Sequence, residues 1–207
     1  AIVKLRDGTV GSVTIGGTVS PAGGNFDEPV TQATCKVVGA FLGLSRERSD
    51  ARRYPAIHLL DSWSKYCSIV KSEDLKLAQK ILRNGNDIAQ MMKVVGEEGT
   101  SIDDFVTYLK SEYLDAAYVQ QNAFHAVDGS VSEERQRYTF NKIVKTLGTK
   151  MTFDSKDAAR AFFQTLTQKT KDWNYIVPES CEFHAIEAEL DKMIGEVAKS
   201  AQSIQEN

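Results

Sequence analysis

The apolar positions of this chain change period once along its length. Ile2-Val3-Lys4-Leu5-Arg6 and Val10 to Val19 are rich in β-branched residues and flank Asp7-Gly8, the pattern of two strands joined by a tight turn. From Ser72 onward the spacing lengthens to three and four residues, which predicts helices over 72–95, 101–121, 132–147, 154–173 and 179–203. The last is the clearest, with Phe183, Ile186, Leu190, Ile194, Val197, Ala201 and Ile204 at intervals of 3, 4, 4, 3, 4 and 3. Between the two regimes, Ser20-Pro21-Ala22-Gly23-Gly24-Asn25 concentrates turn residues, and Asp27-Glu28-Pro29 opens a helix predicted to reach Leu44. Pro55 pushes Tyr54 towards extended backbone, so the stretch to Ser64 is expected to be irregular. The pattern divides the chain into residues 1–68 and a helical domain over 69–207. A two-stranded hairpin is marginal by itself, so residues 12–19 read as a strand of a larger sheet.

Composition narrows the class. With 42% hydrophobic and 26% charged residues in 207, the chain can bury a core, and it has no apolar run of the length a membrane span needs. Lys and Arg total 25 against 28 for Asp and Glu. The net charge of -3 supplies no field for nucleic acid or an anionic membrane, so neither is expected as a direct partner. Cys35, Cys67 and Cys181 lie far apart, which excludes a disulfide framework or a zinc site and points to a reducing compartment. The first residues carry charge and a turn in place of an apolar leader, so cytoplasmic placement is expected.

The chemistry-bearing motifs are few. There is no Gly-x-x-x-x-Gly-Lys-Ser/Thr and no Gly-x-Gly-x-x-Gly, and the glycines at 23 and 24 suit a turn. His58, His125 and His184 have no second ligand or nucleophile at useful spacing, so no catalytic residue and no metal site is assigned. Glu97, Glu98, Asp103 and Asp104 cluster around Gly96, Gly99 and Ser101. Ser101-x-x-Asp104 is a capping box with aspartate for glutamate; the same acids could instead present charge to a basic partner. Phe124 ends a helix carrying Phe105, Tyr108, Leu109, Tyr113 and Tyr118, so by pattern it is core, although an aromatic there could also stack on a flat ligand. Phe41 is open to the same two readings.

Three segments together carry a resemblance. Gly11-Ser12-Val13-Thr14 with the run from Ser20 to Thr34 resembles the catalytic A subunits of V/A-type rotary ATPases. Tyr54-Pro55-Ala56-Ile57 with Asp61-Ser62-Trp63-Ser64 resembles the segment that closes the family's nucleotide-binding domain. Ile88 to Gly96, the acidic loop, and Tyr118-Val119-Gln120-Gln121-Asn122-Ala123-Phe124-His125-Ala126-Val127-Asp128 resemble its C-terminal helical domain. The likeness covers roughly residues 3 to 178, in the family's order. Departures are a short link from Tyr66 to Ile81, Asn84-Gly85-Asn86 within a stretch normally helical, and Tyr54 where His-Phe is common.

The resemblance implies a mainly α chain, a C-terminal helical-bundle domain preceded by a hairpin and helix left from a P-loop-type α/β nucleotide-binding domain. It implies that Phe124, and with it Phe41, lines the adenine side of a nucleotide pocket, and that Glu97, Glu98, Asp103 and Asp104 press on a central rotor stalk. ATP or ADP with Mg is then the ligand of the complete subunit, whose P-loop and metal ligands precede Ala1; the chain alone is expected to bind no cofactor and to be inactive. The partners implied are the B subunits of the hexameric head and the rotor stalk subunits, in a complex peripheral to the membrane. The alternative is a free-standing helical interaction module docking a partner helix on Ile186, Leu190, Ile194 and Val197.

Overall fold

The computed structural model describes residues 2–66 and 69–205, with the side chains of Ala22 and residues 200–205 outside the description. Cys67 and Ser68 lie outside the described residues, and so do the side chains of Ala201 and Ile204 in the last helix's stripe. The chain forms two compact units, residues 1–41 and 42–207.

In the first unit, β1 (Ile2–Lys4) runs antiparallel to β2 (Val10–Ser12), with Ile2 opposite Ser12 and Lys4 opposite Val10. Gly8 takes a φ of 88°, which a side chain would resist, and Asp7 Oδ1 accepts from Thr9 N at 3.0 Å to close the turn. The second strand is shorter than expected: residues 13–19 form no strand, because extended chain becomes a strand only along a neighbour. Ile15 there is 89% exposed. α1 spans Pro29–Val37 and starts at its proline as expected, but it stops seven residues before Leu44. Val38 is extended and Gly39 follows, a pairing of β-branched residue and glycine that does not propagate helix.

The second unit holds the core. Ser45 caps α2 (Arg46–Asp50) by accepting from Arg48 N at 3.3 Å, a helix not anticipated in the basic stretch. The long helices are α3 (Ser72–Val95), α4 (Ile102–Leu114), α5 (Glu133–Gly148), α6 (Lys156–Tyr175) and α7 (Cys181–Gln205). Ser101, Ser132 and Ser155 cap α4, α5 and α6 in the same way, each accepting from the amide three residues on. α3 packs most extensively on α4, α6 on α4 and α7, and α5 on α3. α3 runs unbroken through Asn84-Gly85-Asn86.

Ile143, Leu166, Ala159 and Trp173 are fully buried, and Trp173 stacks on Phe183 of α7 with centroids 4.8 Å apart. Leu190 is buried, and Ile186, Ile194 and Val197 pack against the same core. This corrects the alternative reading: the residues it would use for docking, Ile186, Leu190, Ile194 and Val197, are packed within the chain, where the hydrophobic effect has already covered them. Two cations fasten helix ends. Lys110 of α4 donates to the carbonyls of Leu147 and Thr149, and Arg135 of α5 to those of Asn174 and Ile176, so carbonyls without intrahelical partners are satisfied. No helix among the described residues is long and apolar enough to cross a membrane.

Candidate functional site

The expected helix over 101–121 ends early, and its last part is a π-turn over Asp115–Val119. Gln120 N donates to Asp115 O at 2.9 Å across the widened turn, and Asn174 of α6 donates to Ala117 O at 2.7 Å. Beyond it, residues 122–129 fold into a loop tied by its own polar groups. Asp128 Oδ2 accepts from Asn122 N at 2.6 Å, Asn122 Oδ1 from Phe124 N at 3.1 Å, and His125 O from Gly129 N at 2.8 Å. Gly129 is required for that closure, since a Cβ there would lie 2.8 Å from Ala123 O and 2.9 Å from His125 O. The His125 ring meets that of Tyr175 at a tilt, with centroids 4.4 Å apart.

Phe124 stands at the crest of this loop with a relative exposure of 101%. The pattern-based reading of it as a core residue is therefore overturned. The ring borders an open groove of about 520 Å³, whose other walls include Arg52, Tyr54, Gln120, Lys171 and Tyr175. Gln121 N donates to Tyr54 O at 2.9 Å, which joins the wall around Tyr54 to the end of the π-turn. The groove thus offers aromatic faces, amides and two cations, a surface suited to a flat heteroaromatic ligand with hydrogen-bonding edges. Phe41 belongs to the first unit, where its ring meets Phe26 edge-on at 5.4 Å.

Beneath the groove wall lies a cluster of charges that sequence reasoning missed. Arg48 Nη1 is 2.7 Å from Asp115 Oδ1, Arg53 Nη1 2.9 Å from Asp115 Oδ2, and Arg53 Nη2 3.0 Å from Glu112 Oε2. The side chains of Arg48 and Asp115 are 13% and 7% exposed. The hydrogen bond to Glu112 outweighs burial and holds Arg53 above the ordinary guanidinium pKa. The only sequence signal was Ser45 ahead of a basic run, which marks a cap but not the carboxylate 67 residues on that the run would meet.

The acidic loop follows α3, with Gly96 at a φ of 78° ending the helix. Its four acids are not equivalent. Glu97 is paired with Arg160 of α6, and Lys156 donates to the backbone carbonyls of Glu97 and Glu98. Ser101 Oγ donates to Asp104 Oδ2 at 2.7 Å while accepting from Asp104 N, so the capping half of the expectation is present with the side chain turned onto the hydroxyl. Glu98 and Asp103 are exposed and have no ion pair among the described residues.

Comparison with known proteins assigns both parts of the chain. The family model described as ATP synthase alpha/beta family, nucleotide-binding domain, matches residues 2–64, and the model for the C-terminal domain of V and A type ATP synthase matches residues 75–158. The V-type ATP synthase alpha chain of Treponema denticola is 59% identical over 199 residues, 96% of this chain and 34% of that relative. That of Borrelia duttonii is 55% identical over 193 residues, again 34% of its length. The ATP synthase subunit NeqB of Nanoarcheaum equitans, 20% identical with a TM-score of 0.50 over 60% of this chain and 32% of that one, shares the fold. The chain therefore spans about a third of the curated relatives it matches, and the resemblance carried by its motifs is borne out: it is homologous to the C-terminal part of the V-type ATP synthase alpha chain.

Proposed function

We propose that this chain is the adenine-side and force-transmitting part of a rotary ATP synthase catalytic subunit. In this reading the complete subunit hydrolyses or makes ATP, and the chain alone turns over no nucleotide. The residues here fit the base and not the metal: the groove beside Phe124 has aromatic and amide walls, whereas among the described residues no three His, Cys, Asp or Glu side chains gather. Mg²⁺ and the phosphates would then be held by residues outside these 207. The full exposure of Phe124 carries the proposal, since a large apolar ring wholly in water is costly unless something covers it. Adenine is flat and weakly polar, and stacking on Phe124 would contribute about 0.5–1.5 kcal/mol beyond the area buried. Phe41 enters the proposal through the resemblance alone.

The acidic loop is proposed to press on the central rotor stalk, with B subunits flanking the subunit in the hexameric head and the whole lying peripheral to the membrane on its cytoplasmic side. Exposed, unpaired Glu98 and Asp103 suit a basic partner. The junction between the nucleotide-binding part and the helical part is placed near residue 68, which falls between the two family matches. The test is the ATP dissociation constant of a full-length subunit containing this sequence, with and without Phe124→Ala. Affinity should fall; unchanged affinity for both ATP and GTP would remove Phe124 from the pocket.

A further inference from the structure

The segment over Arg48–Tyr54 alternates between two surfaces. Arg52 and Tyr54 border the groove, while Arg53, between them, reaches back to Asp115 and Glu112. Arg52 takes a φ of 55°, a left-handed conformation that a residue with a side chain holds only where its surroundings fix it. That conformation closes the end of α2, where Arg52 N donates to Ser49 O at 3.0 Å and Arg53 N to Arg48 O at 2.8 Å, so the backbone of Arg48 and the Arg52/Arg53 corner are tied together. On the other side, Asp115 is the first residue of the π-turn, and its carbonyl accepts from Gln120, which borders the same groove. One residue therefore grips one wall through its carboxylate and the other through its backbone.

The grip is electrostatically committed. Arg48 buries Nε and Nη2 without a hydrogen-bond partner, and the carboxylate facing its Nη1 is that of Asp115. A buried cation whose balancing anion is neutralised must move or draw in water, and either response displaces the backbone attached to it. The backbone attached to it leads directly into Arg52, Arg53 and Tyr54.

We propose that Asp115, clamped between Arg48 and Arg53, is a positioning residue for the base-binding groove, setting the spacing between the Arg52/Tyr54 wall and the Gln120–Phe124 wall without touching the ligand. The inference rests on the adenine-side reading of Phe124 given above. It assigns to an ion cluster built on the buried Arg48–Asp115 pair a part in affinity and in discrimination between purine bases, in addition to its part in holding the α2 segment against α4 and the π-turn.

The experiment is steady-state kinetics of the assembled ATPase, with ATP and with GTP, on a full-length subunit containing this sequence. Asp115→Asn keeps size and one hydrogen bond but removes the charge; it should raise KM for ATP about 3- to 30-fold. The change in kcat should stay within about twofold, because nothing that touches the reacting phosphates is altered. The preference for ATP over GTP should narrow. Arg53→Lys, which keeps charge but loses the two-pronged fork, should fall between wild type and Arg53→Gln. A purely structural staple would lower the amount of active enzyme and leave KM and the ATP-to-GTP ratio unmoved, which overturns the proposal. Should Asp115→Asn fail to assemble, Arg53→Gln, in which Arg48 still faces Asp115, decides by the same readings. Phe124→Ala separates the two levels. If it shifts the ATP-to-GTP ratio and neither cluster variant does, positioning is wrong and the adenine reading stands; if it too shifts nothing, both fall.

Discussion

Gly85 of α3 and Ser111 of α4 touch so closely that a Cβ on Gly85 would lie 2.2 Å from the Ser111 Cβ and 2.4 Å from its Oγ. Helix propensity alone favours Gly85→Ala by about 1 kcal/mol. A contact under 3 Å against a Cβ cannot relax by turning a side chain, so the two helices must part, at a cost of about 1–3 kcal/mol. Destabilisation is therefore expected, read as a lower midpoint in urea. Gly85→Ala with Ser111→Gly restores the room and should recover most of the loss. A single variant at least as stable as wild type would mean that the helices are not in register at this point.

Phe124 and Phe163 should respond oppositely to truncation. Phe163 is 3% exposed in the core, so Phe163→Ala should cost about 3–5 kcal/mol. Phe124→Ala removes a fully exposed ring, and its stability should match wild type to within about 0.5 kcal/mol. A large loss at Phe124 would show that the ring is packed.

The acidic loop should divide by residue. Glu97→Ala removes a pair whose side chains are 42% and 38% exposed, and should cost no more than about 0.2–1 kcal/mol. Ser101→Ala removes the cap of α4 and should cost about 1 kcal/mol. Glu98→Ala with Asp103→Ala should leave stability unchanged and lower ion transport per ATP in the assembled motor, most strongly at low salt. Equal coupling at every ionic strength would reduce the loop to a solvated connection.

The tie between α5 and α7 should be pH-sensitive at both extremes. Burial pushes Glu187 up, but hydrogen bonds from Tyr138 and Lys142 outweigh it and hold the carboxyl below its ordinary 4.5. A depressed carboxylate stabilises the fold above its unfolded value, and that contribution is lost as pH falls through the lower, folded one. The hydrogen bond to Glu187 pushes Tyr138 up to about 12, so its contribution is intact below 10 and fades as pH rises towards 12. Glu187→Gln should flatten the acid limb of the stability curve. An acid limb as steep as wild type would remove the cluster from the balance.

What was legible in the sequence was what periodicity and capping encode. The helix over Ser72–Val95 was read with its boundaries, because an apolar stripe, two early acids and Gly96 all mark it. The π-turn was not, since Asp115-Ala116-Ala117-Tyr118-Val119 continues a helical pattern and the contacts that accompany the wide turn, Arg53 on Asp115 and Asn174 on the Ala117 carbonyl, come from 62 and 57 residues away. Phe124 looked like core because five aromatics and aliphatics precede it on a helix, and only the early end of that helix turns it outward. Residues 13–19 carry strand composition without strand structure because composition records which neighbours a segment suits, not which are present.

The fastening of residues 122–129 bears on how tightly the exposed ring could hold a ligand. Its backbone is closed by Asp128, Asn122 and the space left at Gly129, so the crest is already fixed while the ring is bare. A floppy loop would surrender about 1–2 kcal/mol of chain entropy for every residue it ordered on binding, enough to cancel a single stacked base. Here that ordering belongs to folding. A flat ligand on this surface would meet a preorganised loop and lose only its own freedom and the rotation of one aromatic side chain, so even a weak stacking contact would not be spent on ordering the chain.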